Sequence, residues 1–288
     1  MSRAYTFEAV AERLACEPKP LRLAASRLLL KSGLCRAFTI PRPGYRLRFY
    51  PSAYSSLLWL DPAASMQDEQ VLRNVLRPGD NVVDVGANIG TLALCAASAV
   101  GESGHVLAME AHPRTFGFLQ GNLRLNQAQN VEALHLAAGD VEGRISITDA
   151  SGHSISVPMR TLDQLLPGFS PVRLLRIDVE GFELAVLRGA GSLLQRTEYV
   201  YLECWDRHVE RYGFRLPEVM RLLAAAGLEP FRFTREHHLV RVREQDAFPV
   251  CENVLAVRDW RTTQDETGLE FEVQHAEICH STAAAYTH

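Results

Sequence analysis

Lysine is almost missing from this chain of 288 residues: only two of its thirty basic residues are Lys, a skew that reads as codon bias and carries no function. Other absences exclude more. No stretch approaches the ~20 consecutive apolar residues that a membrane span needs. The N-terminus, "MSRAYTFEAVAERLACEPKP", carries Glu8, Glu12 and Glu17 where a signal peptide has an apolar core. The six cysteines (16, 35, 95, 204, 251 and 279) make no CxxC pair, so they read as reduced thiols rather than a disulfide framework. Ten histidines show no H-x-x-x-H or Cys/His ligand spacing, which argues against structural zinc. There is no internal repeat and no low-complexity tract. The chain reads as soluble and cytoplasmic.

What is present suffices for a sizeable core: 47% of residues are hydrophobic and 22% charged, enough for one large domain or two small ones. A net charge of −4 and a pI near 6.2 argue against nucleic acid as an obligatory partner. The charge is uneven. Residues 1–50 hold ten Lys/Arg against three Asp/Glu, and residues 259–288 hold one against six. A basic arm can attract an acidic partner or an anionic lipid surface, although solvated helix faces explain the skew more plainly.

From residue 80 to 205, strand-like runs alternate with helical patterns. "NVVDVGA" (81–87), "GHVLAMEA" (104–111), "VEALHLAAGD" (131–140), "LLRID" (174–178) and "EYVYLECW" (198–205) read as five strands. Helices fall on "IGTLALCAASAV", on "PRTFGFLQGNLRLN" with Pro113 in its first turn, and on "FELAVLRGAGSLLQR". "GRISITDA" reads as a short edge hairpin. Near-continuous apolar strands separated by helices imply an α/β fold, a mostly parallel sheet with helices on both faces. After the helix "LPEVMRLLAAAGLEP", the runs "PFRFTREHHLVRV" and "ENVLAVRD" suggest an antiparallel hairpin closing the sheet edge. Residues 1–68 are helical and then irregular and aromatic, a cap over a main domain at 69–260; residues 261–288 read as a polar, loose tail. Tyr50, Tyr54 and Trp59 either roof a pocket or pack the N-terminal segment onto the sheet.

"VVDVGANIGTLAL" places Gly86, Ala87, Asn88 and Gly90 where strand one turns into a helix. Glycine there lets backbone N–H groups approach a ligand. A dinucleotide fingerprint would read G-x-G-x-x-G; here the third position is Asn88 and no glycine follows at 91, so NAD is disfavoured. No G-x-x-x-x-G-K-[ST] run exists, which disfavours a nucleoside triphosphate. Asp84 before a G-x-N-x-G loop points instead to S-adenosylmethionine. Glu110, ending strand two, suits the ribose hydroxyls, and Ala138 and Asp140, ending strand three, suit the adenine.

In order, "DVGANIGTLAL", "MEAHPRTFGFLQGNLRLN", "LHLAAGD", "VPMRTLDQLL" and "RIDVEGFELAVLRGA" resemble the blocks of the FkbM family of S-adenosylmethionine-dependent methyltransferases, across roughly residues 69–206. The resemblance implies a Rossmann-like class I methyltransferase fold and methyl transfer mostly to oxygen of small molecules, notably natural products and sugars. It puts Asp84, Gly86, Asn88, Gly90 and Glu110 on cofactor positions, and Asp178 and Glu180 where such enzymes place catalytic groups. Two residues apart in extended chain, these two carboxylates would share a face. Glu203 ends the neighbouring strand, with Asp206 and His208 just beyond.

An alcohol acceptor must lose its proton. Either a carboxylate or His208 takes it, or Asp178 and Glu203 hold a divalent metal that acidifies the acceptor; the base is favoured, because few oxygen ligands can be placed. Glu183 reads as an ordinary first-turn acid. The position of an N/D-P-P-Y/F motif holds "DVEG", which argues against methylation of DNA bases or glutamine. Trp205, Arg207 and Tyr212 fall where acceptor-binding loops lie. The expected partner is a small-molecule acceptor, and a homodimer is left open. Alternatives are a peptide carboxylate or amine acceptor, a non-catalytic methyltransferase-fold binding subunit and, third, an oxidoreductase.

Overall fold

A strand that is apolar on both faces needs cover on both, and the central strands of this chain receive it. In the computed structural model, which describes residues 20–148, 152–167, 171–235 and 237–273, the chain begins with helix α1 (Pro20–Ser32). The hairpin β1 (Thr39–Arg42) and β2 (Tyr45–Arg48) follows, then α2 (Ala53–Leu60) and α3 (Met66–Val75). The alternating core is β3 (Asn81–Val85), α4 (Thr91–Val100), β4 (His105–Met109), α5 (Pro113–Leu125) and β5 (Val131–Leu134). Short elements β6 (Ala137–Ala138), β7 (Gly143–Thr148), β8 (Ser154–Arg160) and α6 (Leu162–Leu165) lead to β9 (Val172–Ile177). Next come α7 (Glu183–Arg188), α8 (Gly191–Leu194), β10 (Thr197–Cys204), α9 (Asp206–Val209) and α10 (Leu216–Ala225). Then β11 (Glu229–Arg235), β12 (His238–Arg241), β13 (Glu252–Val257), α11 (Trp260–Thr267) and β14 (Glu270–Glu272) complete it.

The main sheet has nine strands in the order β14-β12-β11-β13-β10-β9-β3-β4-β5. The five strands from β10 to β5 run parallel; β13 enters antiparallel beside β10, as does β11 beside β13. The chain winds outward from β3 to β5, crosses back to β9 and winds the other way. The carboxyl ends of β3 and β9 therefore flank a topological switch point, where open α/β sheets hold ligands. The Rossmann-like architecture and its antiparallel edge agree with the sequence reading.

Alternation sorts the strands into two cores. Val82, Leu174 and Tyr199 face α3 and α4 on one side, whereas Val83, Leu175 and Val200 face α7 and α10 on the other. The N-terminal segment shares the first core. Leu47, Phe49 and Leu58 are fully buried in it, each contributing about 2 kcal/mol of burial. Tyr50 stacks on Phe118 and Trp59 on Phe49, so these two rings pack the segment down rather than line an open pocket.

Four details depart from expectation. The run 131–140 is not one strand: it leaves the main sheet at Leu134, where His135 turns to the Ala111 carbonyl, and Ala137–Ala138 pairs with β8. The hairpin over "GRISITDA" exists as β7–β8, but in this separate three-stranded sheet. The helix at 182–196 is two pieces, because Gly189 runs against the Gly139 carbonyl too closely for any Cβ. Finally, "PFRFTREHHLVRV" is itself the hairpin β11–β12, β13 inserts between it and β10, and the tail through 273 is an ordered helix and edge strand. Residues 274–288 lie outside the described residues, as do 1–19. No described helix is long and apolar enough to cross a membrane.

Candidate active site

The turn from β3 into α4 needs left-handed backbone at three positions, Gly86 (φ 86°), Asn88 (φ 52°) and Gly90 (φ 91°), which explains two glycines and an asparagine there. A Cβ on Gly86 would overlap the Asp178 carbonyl oxygen, so this glycine also sets how closely the loops after β3 and β9 approach. Gly86 and Ala87 donate their N–H groups to the Met109 carbonyl at 2.9 and 2.8 Å. Glu110, one residue beyond β4, ties the turn down: Oε2 accepts from the Asn88 N–H at 3.0 Å and Oε1 from the His112 N–H at 2.8 Å. Burial raises its pKa and the two amides oppose the shift.

Beneath the loop lies a group that the sequence reading missed. Arg176, inside β9, donates to Asp84 Oδ1 (3.0 Å), to the Gly86 carbonyl (2.8 Å) and to Asp178 Oδ2. Its charge explains how Asp84, 1% exposed, is tolerated. Burial still raises the Asp84 pKa, against the pull of Arg176. Asp84 Oδ2 is buried with no hydrogen-bond partner among the described residues. Asp178 is thus an ion-paired carboxylate, held by the guanidinium two residues before it.

Registers place the mouth. Val85, Ile177 and Leu202 lie abreast on β3, β9 and β10, so the next residues, Gly86, Asp178 and Glu203, stand in a row at the carboxyl ends. Glu203 Oε2 contacts His208 Nδ1 at 3.0 Å, and Oε1 accepts from the Cys251 thiol at 2.8 Å. The thiol is pushed up to about 12 by burial and by Glu203. The Trp205 ring lies 4.3 Å from the imidazole, centroid to centroid. Asp206 points elsewhere, accepting from the Phe248 N–H at 2.8 Å.

Glu180 does not extend the strand beside Asp178. It has φ 54° in the turn that ends β9 and is exposed, so the expected shared face of an extended chain is not formed. Gly181 follows at φ 110°, its Cα against the His208 carbonyl, which brings this turn onto α9. Glu183 is the larger correction. It is 1% exposed, not a solvated first-turn acid, and its Oε1 accepts from the Gly181 (3.0 Å) and Val179 (3.2 Å) N–H groups. Burial pushes it up to about 7 against those amides. The signal was an acid two residues past a left-handed glycine, within reach of the turn's own amides.

Ala138 is buried in the second core and Asp140 is exposed. Gly139 between them abuts Met159 and Phe182, so this segment borders the turn after β9 without joining the Arg176 network. Tyr212 packs edge-on to Phe182, and Arg207 lies over Trp205. Tyr54 of α2 hydrogen-bonds Ser65 at 2.6 Å; burial raises its pKa, with Ser65 and Arg176 opposing the shift. Among the described residues, no group of three or more His, Cys, Asp or Glu is arranged to hold a metal ion.

Comparison with known proteins adds the following. The methyltransferase FkbM domain matches residues 84–230. Hexuronic acid methyltransferase AglP of Haloferax volcanii is 29% identical over 238 residues, covering 76% of this chain and 94% of that protein. Methyltransferase 1 of Beauveria bassiana is 25% identical over 177 residues, covering 46% of this chain and 71% of that protein. Among solved structures, methyltransferase FkbM from Methylobacillus flagellatus superposes with a TM-score of 0.44 at 15% identity, covering 83% of this chain and 59% of that one.

Proposed function

The chain belongs to the FkbM methyltransferase family and is an S-adenosylmethionine-dependent methyltransferase, and on that premise we propose that it methylates a hydroxyl oxygen of a small molecule, a sugar or another natural product. One observation carries the reading: His208 is held by Glu203 at the carboxyl end of β10, in the manner of an oriented general base. The name of the Haloferax relative, a hexuronic acid methyltransferase, supports a sugar acceptor.

The residues present fit the cofactor. Bound S-adenosylmethionine supplies an activated methyl on a cationic sulfonium. Three carboxylates (Glu110, Asp178 and Glu203), with Asp84 buried beneath them against the Arg176 guanidinium, suit that positive charge. Glu110 uses one lone pair per oxygen on backbone amides and keeps the others for the ribose hydroxyls. Asp84 Oδ2, buried and unpartnered, is an acceptor available to the ammonium of the methionine portion. Gly86, Ala87, Asn88 and Gly90 form the turn beside them, with Ala138 and Asp140 toward the adenine.

On the acceptor side, Glu203 fixes the imidazole with Nδ1 as donor, so Nε2 is the free acceptor. Nε2 takes the proton as the acceptor oxygen attacks, and Glu203 stabilises the imidazolium. Asp178, paired with Arg176, positions the acceptor hydroxyl, and Glu180 lies at the outer edge of the same mouth. We further assign residues 1–68 to acceptor selection, supported by Tyr54 standing near Arg176. A cytoplasmic location is part of this reading, supported by the free thiols of Cys35, Cys95, Cys204 and Cys251.

The test is methyl-donor consumption over a panel of sugar and polyketide alcohols, carboxylates and amines, with and without EDTA. His208→Ala should lower kcat about 100-fold or more on an alcohol while leaving cofactor affinity unchanged. Wild-type kcat in that variant, or turnover of carboxylates alone, would sink the proposal. Abolition by EDTA would instead assign Asp178 and Glu203 to a metal.

A further inference from the structure

Helix α1 shows solvent a stripe that belongs in a core. Leu21 and Leu28 are 86% and 69% exposed, and Ala24 and Ala25, exposed between them, complete the i, i+3, i+4, i+7 spacing of one helix face. The opposite side is already used, since Leu29 and Leu30 pack on the first core and Ser26 is buried. The exposure continues past the helix, with Leu34 at 60% and Phe38 at 43%.

The stretch of chain that carries this apolar surface is basic up to the exposed Asp61. Residues 20–60 contain seven Arg/Lys and no Asp or Glu. Arg42 is neutralised internally by Glu69. Lys31, Arg36 and Arg46 are exposed, and Arg22, Arg27 and Arg48 are partly so. Scattered cations alone would be a solvated face; Arg22, Arg27 and Lys31 on the same helix as the Leu21–Ala24–Ala25–Leu28 stripe combine apolar and basic surface as a helix in a bilayer interface does.

We propose that α1 and the turn after it form a docking surface for an anionic lipid bilayer, with the leucines entering the headgroup–acyl boundary and the basic residues meeting lipid phosphates. Charge selects this occupant over others. A second copy of the same face would bring together two sets of cations that have no ion pair among the described residues. The chain's own ends are poor complements: residues 1–19 carry three acids and three bases, and residues 274–288 only the acid Glu277. Peripheral attachment needs no spanning helix, and apolar insertion with anionic attraction together make two signals.

The experiment is co-sedimentation of the full chain with phosphatidylcholine vesicles, with and without phosphatidylglycerol, read beside light scattering for oligomeric state. Binding should require phosphatidylglycerol and weaken as salt rises. L21E/L28E should lower the partition coefficient about tenfold or more, and R27E/K31E should weaken the lipid-charge dependence. Circular dichroism confirms that both surface variants remain folded. The proposal is overturned if the full chain ignores anionic vesicles, or if L21E/L28E binds them as the parent does. A dimer that L21E/L28E dissolves would assign the stripe to self-association instead. Because the readout is lipid binding, a failed acceptor assignment leaves this result standing.

Discussion

Two strand-to-helix turns sit side by side at the switch point, and they are built alike from different parts. After β3 the left-handed non-glycine residue is Asn88; after β9 it is Glu180. A carboxylate, half-buried for the first and buried for the second, accepts from backbone N–H groups of each. For the first turn it is Glu110, borrowed from the neighbouring strand, and for the second it is Glu183, from the turn's own helix. The first arrangement couples the turn to β4. The second makes a self-contained turn whose Val179 and Gly181 amides are satisfied locally, while Asp178 is paired with Arg176. Burial raises both acids and amide donors restrain both, and Glu183 is lifted to about 7. Glu183 is therefore the acid whose titration is expected in the neutral range, which makes the second turn the place to look for a response to pH.

The comparison breaks first at its glycines. Gly86→Ala and Gly181→Ala each place a methyl group on backbone, against the Asp178 and His208 carbonyls, at positive φ. Each should cost about 3 kcal/mol or more in urea unfolding; a cost below about 1 kcal/mol would mean the turns yield easily. Next comes Glu183. Its folded pKa lies above the usual carboxylate value, so its stabilising contribution is complete below pH ~4.5 and lost as pH rises to about 7. Stability should fall across that window by up to ~3 kcal/mol, and Glu183→Gln should flatten the fall; an unchanged pH profile in the variant would remove the distinction. Glu110→Gln should weaken S-adenosylmethionine binding by calorimetry about tenfold or more and lower the unfolding midpoint, because its amide NH2 would face one of the two backbone N–H donors. The smallest effect belongs to Cys251→Ala, which removes one hydrogen bond from Glu203 and should shift the kcat–pH profile while changing kcat by about threefold at most. Cys251→Ser should restore the profile.

The first turn was legible because its demands are local: glycines at fixed offsets, an acid at the end of the next strand, and a helix opening behind them. Arg176 was not. An arginine inside "LLRID" looks like a solvent-facing strand residue until β3 lies beside β9 and brings Asp84 to it. Glu183 was misread for a related reason, since helix position alone does not reveal that α9 closes over the turn and buries it. The parallel strands could be read from apolar runs, but the hairpin order could not. Inserting β13 between β10 and β11 is decided by pairing across some fifty residues, as Glu203 opposite Asn253 shows. Ala138 and Asp140 illustrate the limit of reading one strand through a turn, because the chain changes sheets between Leu134 and Ala137.

The N-terminal segment is anchored by polar contacts as well as by its apolar core. Arg42 pairs with Glu69 and caps the carbonyls of Pro62 and Ala64, while Asp68 receives the Tyr201 hydroxyl at 2.6 Å and the Asn253 amide at 2.8 Å. Any attempt to transplant a different acceptor preference by exchanging this segment must therefore carry matching residues at 69, 201 and 253. A chimaera joined at residue 68 without them would strand a buried tyrosine hydroxyl, and its failure would say nothing about which acceptor the donor segment prefers.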